Sequence, residues 1–267
     1  MLDEDIIANA AAALYQAERD RCPVEPLSMS QPQMTIDDGY AIQKQWVDRK
    51  IAEGRKVVGY KIGYTSRAMQ KALNIEEPDF GVLLDDMVFA DGADIEAAQF
   101  CDPRIEMELA FVLKDRLYGE NLTIDEVLAA TDYITPALEI IAARSYRKHP
   151  QTGYTRKVMD TVADNAGNAG IIMGGRRIKP GERDLRWCGG LLFRNDIIEE
   201  TGLAAAVLNH PANGICWVAK RFAPYGVALE PGQVILAGSF TAPVAVTAGD
   251  VIHADYGDLG SVSCRFI

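Results

Sequence analysis

Residues 5–19 carry Ile6, Ile7, Ala10, Ala11, Leu14 and Tyr15 at helical spacing, which predicts an amphipathic helix with one apolar face. A loop rich in proline and polar residues follows over 22–34. Thr35 and Asp38 have the order of a capping box and open a second predicted helix. Its inner stripe is Ile36, Tyr40, Val47 and Ile51, and Gly54 stops it. A strand is expected over 57–62, then a short helix capped by Thr65 or Ser66 and running through Leu73. Thr123-Ile124-Asp125-Glu126 caps another. Beyond Asp79 the pattern changes to short β-rich runs between Gly-rich turns. Strands are predicted at 105–113, 135–141, 171–173, 191–194, 234–237, 251–255 and 261–266, interrupted by one helix near 211–222. The chain thus reads as α+β, with a helical N-terminal region over 1–75 and a strand-rich domain over 76–267.

The strand at 105–113 carries two charges where its neighbours are apolar. Side chains alternate along a strand, so Glu106 and Glu108 share one face with Ala110 and Val112, while Ile105, Met107, Leu109 and Phe111 share the other. Both faces are therefore expected to be buried. Two carboxylates at one buried strand end repel each other and lose hydration, which costs several kcal/mol or raises their pKa values unless a cation sits between them. Glu139, the only charge in the apolar run Thr135-Pro136-Ala137-Leu138-Glu139-Ile140-Ile141, supplies a third carboxylate. With no cysteine or histidine beside either motif, this ligand set is hard and suits Mg²⁺ or Mn²⁺. On an exposed strand the same Glu-x-Glu pattern would be an ordinary solvated face.

Composition narrows the classes of function. The chain has 267 residues, 48% hydrophobic and 24% charged, enough for a sizeable core. No apolar run approaches the roughly 20 residues of a membrane span. The acidic start Met1-Leu2-Asp3-Glu4-Asp5 is unlike a basic leader, so a cytoplasmic location is expected. A net charge of −11 argues against nucleic acid and anionic membranes as partners. Five scattered cysteines, Cys22, Cys101, Cys188, Cys216 and Cys264, contain no Cys-x-x-Cys pair and are expected to be reduced core fillers. No Gly-x-Ser-x-Gly elbow or dinucleotide-binding loop is present.

Seven separated motifs carry a resemblance that spans nearly the whole chain. They are Gly59-Tyr60-Lys61-Ile62-Gly63-Tyr64-Thr65-Ser66, Glu77-Pro78-Asp79-Phe80-Gly81, Arg104-Ile105-Glu106-Met107-Glu108, Pro136-Ala137-Leu138-Glu139, Asp160-Thr161-Val162-Ala163-Asp164-Asn165, Leu208-Asn209-His210-Pro211-Ala212-Asn213-Gly214 and Gly257-Asp258-Leu259-Gly260-Ser261. Together, in this order, the chain resembles the hydratase and decarboxylase family of aromatic meta-cleavage pathways, within the fumarylacetoacetate hydrolase superfamily. The resemblance implies a mixed β-sheet core, a divalent metal and homo-oligomers that can reach decamers. It also implies a 2-oxo or 2-hydroxydienoate acid as the small-molecule substrate.

A 2-oxo acid offers carboxylate and ketone oxygens to a metal held by Glu106, Glu108 and Glu139. Hydration of a remote double bond then needs an acid and a base. Lys61, in a short β run ending at Gly63, and Asp79, between Pro78 and Phe80, are the candidates. Burial near a metal is expected to lower the Lys61 pKa toward neutrality and to raise that of Asp79. Residue context alone leaves a Lys61 salt bridge and an Asp79 turn cap open; the family resemblance favours the catalytic roles. The cations of Arg144-Ser145-Tyr146-Arg147-Lys148-His149 and Arg156-Lys157 form a basic patch in an acidic chain. Arg156 or Lys157 is a candidate reader of the distal carboxylate of a seven-carbon diacid, with a solvated loop or an oligomer contact as the alternative. Ser239 is a candidate contact to the substrate carboxylate, or simply a turn serine.

The leading expectation is a metal-dependent hydratase. Decarboxylation of a 2-oxo-3-enedioate, or hydration of the shorter 2-hydroxypenta-2,4-dienoate, would use the same chelate. A hydrolase splitting a carbon-carbon bond would want a histidine paired with a carboxylate, and no histidine precedes His149. A silent 2-oxo-acid binding scaffold is the reading from outside enzymology.

Overall fold

A computed structural model describes the backbone of residues 1–267 and every side chain except that of Leu73. The helical start forms as the pattern predicts. Helix α1 (Glu4–Asp20) and the single turn α2 (Leu27–Ser30) precede α3 (Ile36–Ala52). The capping box at α3 is complete, with the Thr35 side chain accepting the Asp38 amide while Asp38 accepts the Thr35 amide. Leu14 and Tyr15 of α1 pack with Ile42 and Trp46 of α3, and this cluster continues into Val82 and Leu84 of the sheet. Each fully buried side chain of this size contributes about 1.5–3 kcal/mol. No helix among the described residues is long and apolar enough to cross a membrane.

The main sheet is mixed and has eight strands. Strand β1 (Val57–Gly63) leads into the short helix α4 (Arg67–Leu73) and returns as its antiparallel neighbour β2 (Asp79–Leu84). The strands β3 (Val88–Phe89) and β4 (Ala93–Ile95) precede the long β5 (Arg104–Leu113), and α5 (Ile124–Ala130) leads into β6 (Thr131–Ile141). After α6 (Val158–Ala163) come β7 (Asn168–Met173), β8 (Gly189–Arg194), β9 (Ile197–Leu203) and α7 (Ala212–Phe222). The chain closes with β10 (Val234–Leu236), β11 (Val244–Ala245), β12 (Val251–Asp255) and β13 (Ser261–Phe266). The main sheet runs β2-β1-β10-β5-β6-β7-β3, with β11 added to β5, and a second sheet runs β4-β13-β12-β8-β9. The β1–β10 and β3–β7 pairs are parallel and the other pairs of the main sheet antiparallel.

The structure corrects several expectations. The helical segment ends at Ala52, and a division at residue 75 would separate β1 from β2, two strands that pair over Gly59 to Gly63. Strand β9 was not expected, although Asn195-Asp196, both with positive φ (54° and 65°), marks the tight turn that folds it back on β8. Asp79 opens strand β2, which sets aside the alternative reading of it as a turn cap. All five cysteines are free; Cys101, Cys188 and Cys264 are buried, whereas Cys216 is half-buried and Cys22 is exposed and fills no core.

Candidate metal and catalytic site

One face of β5 is buried throughout, and the other is buried at Glu108 and Ala110 and half-buried at Glu106 and Val112. Ile105, Met107, Leu109 and Phe111 enter the large core between the two sheets. The opposite face carries Ala110 into a small cluster with Leu83, Ala137, Ile171 and Leu236, and the carboxylates lie beside it. In the β5–β6 register Glu106 stands directly opposite Glu139, and Glu108 opposite Ala137. Directly opposed residues share a face of the sheet. One oxygen from each of Glu106, Glu108 and Glu139 consequently lies within 4.8 Å of the others.

Glu108 and Glu139 are each 1% exposed. Glu108 Oε2 accepts the Gly238 amide at 2.8 Å. Its Oε1 and the Oε1 of Glu139 have no hydrogen-bond partner, although Lys61 Nζ stands 3.5 Å from the latter. Orphaned buried carboxylate oxygens converging on one point, all hard donors, fit a divalent cation. Burial raises all three pKa values, reinforced at Glu106 and Glu108 by repulsion from Glu139: Glu106 is pushed up to about 8, Glu108 well above the carboxylate range, and Glu139 upward against the opposing pull of Lys61.

Lys61 and Asp79 meet beside this trio because β1 and β2 pair Gly63 with Asp79 and Lys61 with Gly81. A Cβ on Gly63 would fall 2.2 Å from Asp79 Oδ1 and 3.1 Å from Lys61 Nζ, so only glycine permits this approach. Both side chains are buried, and neither Asp79 oxygen has a hydrogen-bond partner. Burial pushes Asp79 up to about 6, against the counter-pull of Lys61, as the apolar context of Pro78 and Phe80 predicts. The expectation for Lys61 has the wrong sign. Burial alone would lower its pKa, but the carboxylates of Glu139, Asp79, Glu106 and Glu108 outweigh it and hold the ammonium above its ordinary value.

A cavity of about 500 Å³ opens onto these groups and is lined by Lys61, Asp79, Glu106 and Glu108, together with Arg147, Arg156 and Ser239. Ser239 Oγ accepts the Thr241 amide and donates to the Thr241 carbonyl, so it is a turn serine that also faces the cavity. Arg156 reaches the cavity with Nη1 held 3.1 Å from Asp164 Oδ2 and 3.4 Å from the Ser145 carbonyl. Lys157 does not join it: the residue is exposed, precedes α6, and its backbone amide donates to Asp160. Arg147 takes the place expected of Lys157, anchored through Nε to Asp102 Oδ2 at 2.7 Å. It belongs to the basic run already visible in the sequence, but nothing in that run distinguishes the cations that turn inward. Tyr64 also lines the cavity, in a left-handed conformation with φ 53° that a bulky residue adopts only under constraint. His210 starts α7, its Nδ1 accepting the Ala212 amide, and has no part in the site.

The fold agrees with comparisons against known proteins. Residues 50–267 match the model of the fumarylacetoacetate (FAA) hydrolase C-terminal family. The chain belongs to that family. It is 55% identical to 2-oxo-hept-4-ene-1,7-dioate hydratase of Escherichia coli, over 100% of both chains. It is 41% identical to 2-keto-4-pentenoate hydratase of Paraburkholderia xenovorans (strain LB400), over 96% of this chain and 93% of the relative. Among solved structures, 4-oxalocrotonate decarboxylase from Pseudomonas putida G7, complexed with magnesium and adipate, superposes with a TM-score of 0.93 at 34% identity, covering 100% of this chain and 99% of that one.

Proposed function

We propose that this protein is a divalent-metal-dependent hydratase that adds water to 2-oxohept-4-ene-1,7-dioate, formed from 2-hydroxyhepta-2,4-dienedioate. The observation that carries the reading is the convergence of Glu106, Glu108 and Glu139 on one point, beside a cavity lined by Glu106, Glu108, Lys61 and Asp79. The E. coli hydratase, identical at 55% over the full chain, supports the choice of substrate. Glu106, Glu108 and Glu139 would hold Mg²⁺ or Mn²⁺, which when bound supplies a Lewis acid at the 2-oxo group, where negative charge develops.

The chain's own residues supply the protons. Ketonisation removes the proton of the enol oxygen and adds one at C5, which leaves the remaining double bond between C3 and C4 in conjugation with the 2-oxo group; conjugate addition then bonds water's oxygen to C4 and a proton to C3. Asp79, with its pKa near neutrality and both oxygens free, takes a proton from water. Lys61, held as an ammonium, delivers one. Arg156, fixed by Asp164, reads the distal carboxylate, and Ser239 closes the wall beside the substrate. A cytoplasmic location belongs to the same proposal, as does a homo-oligomer of up to decamer size, which rests on the family resemblance.

Likeness to the P. putida decarboxylase supports a second reading, since the same chelate serves loss of CO₂ from a 2-oxo-3-enedioate. Purified protein with Mg²⁺ and enzymatically generated 2-hydroxyhepta-2,4-dienedioate separates the two. Loss of the conjugated absorbance without CO₂ is the hydratase result, whereas stoichiometric CO₂ release makes the protein a decarboxylase. Unchanged absorbance leaves only the binding scaffold.

A further inference from the structure

The carboxylate trio depends on the backbone beneath it, and one side chain outside the cavity holds that backbone. Tyr256 follows β12 and lies in the core shared with Met107 and Leu109, so it approaches β5 from the face opposite the carboxylates. It is 3% exposed, and its ring sits edge-on to Phe240 with centres 6.1 Å apart. Its hydroxyl meets the rung where Glu108 pairs with Ala137. There it donates to the Ala137 carbonyl at 2.6 Å, has the Glu108 carbonyl at 3.1 Å, and accepts the Glu108 amide at 3.2 Å. Glu108 is therefore gripped twice, at its side chain by the Gly238 amide and at its backbone by Tyr256.

Packing does not explain the hydroxyl, because a phenylalanine would fill the same apolar volume without a buried polar group to satisfy. Its three backbone partners all belong to the rung that carries a ligand. Repulsion among the three carboxylates pushes β5 and β6 apart next to this rung, where Glu106 opposes Glu139, and an anchor on the far face opposes that motion. We propose that Tyr256 is a positioning residue for the metal, its hydroxyl fixing the Glu108–Ala137 rung so that Glu108 stays convergent with Glu106 and Glu139. This inference rests on the metal-binding reading of the three carboxylates.

The test measures metal uptake directly, by titrating the chelated and dialysed full-length protein with Mn²⁺ and following free Mn²⁺ by electron paramagnetic resonance. Y256F is expected to bind Mn²⁺ about tenfold more weakly than wild type, the scale of lost outer-shell support. T131V is the control for general loosening: it deletes a buried hydroxyl that donates to the Val127 carbonyl at the start of β6, and its Mn²⁺ affinity is expected to equal that of wild type. Replacement of Tyr256 by 4-aminophenylalanine keeps the volume with a weaker donor, and its affinity is expected to fall between wild type and Y256F. Wild-type affinity in Y256F overturns the proposal, as does an equal loss in T131V. If Y256F does not fold, wild-type affinity in the 4-aminophenylalanine protein overturns it instead. Wild-type protein that takes up no Mn²⁺ overturns the carboxylate reading and this inference together, whereas uptake equal in wild type and Y256F defeats this inference alone.

Discussion

Glu106 and Glu139 face each other directly across the antiparallel β5–β6 ladder, two acids on one rung, Glu139 buried and Glu106 half-buried at the cavity wall. Like charges so placed destabilise a sheet, and a bound cation reverses the sign of that interaction. Chelated protein is therefore expected to gain thermal stability on adding Mg²⁺, by about 2.7 kcal/mol at a concentration one hundred times Kd. E106Q is expected to melt higher than wild type without metal and to lose most of the Mg²⁺ increment. Differential scanning fluorimetry with and without chelator reads both; an E106Q protein that still gains the full increment would remove Glu106 from the ligand set.

Asp79 gives the site a pH dependence whose direction follows from burial. Its folded-state pKa is pushed up to about 6, above the ordinary value of 3.8, so the folded protein binds the extra proton between those limits. Stability from this group is thus lost as pH rises toward 6, by about 3 kcal/mol when the shift is complete. D79N is expected to melt higher than wild type at pH 8, with the gap closing toward pH 5. Its turnover should fall about 10²- to 10⁴-fold. A wild-type rate that does not rise as pH increases through 6 would deny Asp79 its role as base.

Gly63 is the glycine on which the acid-base pair depends. G63A places a methyl group 2.2 Å from Asp79 Oδ1 and 3.1 Å from Lys61 Nζ, which forces the two apart. Turnover is expected to drop about 10²-fold, the scale of an ångström of misplacement, while Mn²⁺ uptake by the neighbouring carboxylates changes little. Steady-state kinetics beside the Mn²⁺ titration checks the contrast, and G63A with wild-type turnover would contradict it.

Arg156 and Lys157 are adjacent in sequence but not in placement. One lines the cavity with its guanidinium held by Asp164, and the other is exposed to solvent. R156A is expected to lower kcat/KM for the seven-carbon diacid by about 10- to 100-fold, as for a lost charge-assisted contact, and to affect the monoacid analogue far less. K157A should leave both substrates unchanged. Equal losses on diacid and monoacid in R156A would show that it does not read the distal carboxylate.

Local rules made much of this architecture legible in the chain. The capping boxes at Thr35 and Thr123 form, and the strand pattern around Glu106 and Glu108 predicts burial on both faces, because alternation and capping are short-range properties. The trio could be named for the same reason: a charge inside an apolar run is costly wherever the strand lies. Non-local facts were not readable. The opposition of Glu106 to Glu139 depends on the β5–β6 register, the raised pKa of Lys61 on four carboxylates from three other strands, and the inward turn of Arg147 on a left-handed Asp102 with φ 48° far from it in sequence. Tyr256 carried no signal, since a tyrosine after a strand is ordinary until its hydroxyl is seen on another sheet's backbone.

The central claim is that three carboxylates hold the cation on which turnover depends, and metal reconstitution tests it most directly. Exhaustively chelated protein should be inactive toward 2-hydroxyhepta-2,4-dienedioate, and activity should return in proportion to Mn²⁺ bound, saturating at one ion per chain in wild type but not in E108Q. Full turnover by the metal-free protein, or stoichiometric Mn²⁺ binding by E108Q with wild-type affinity, would contradict the account.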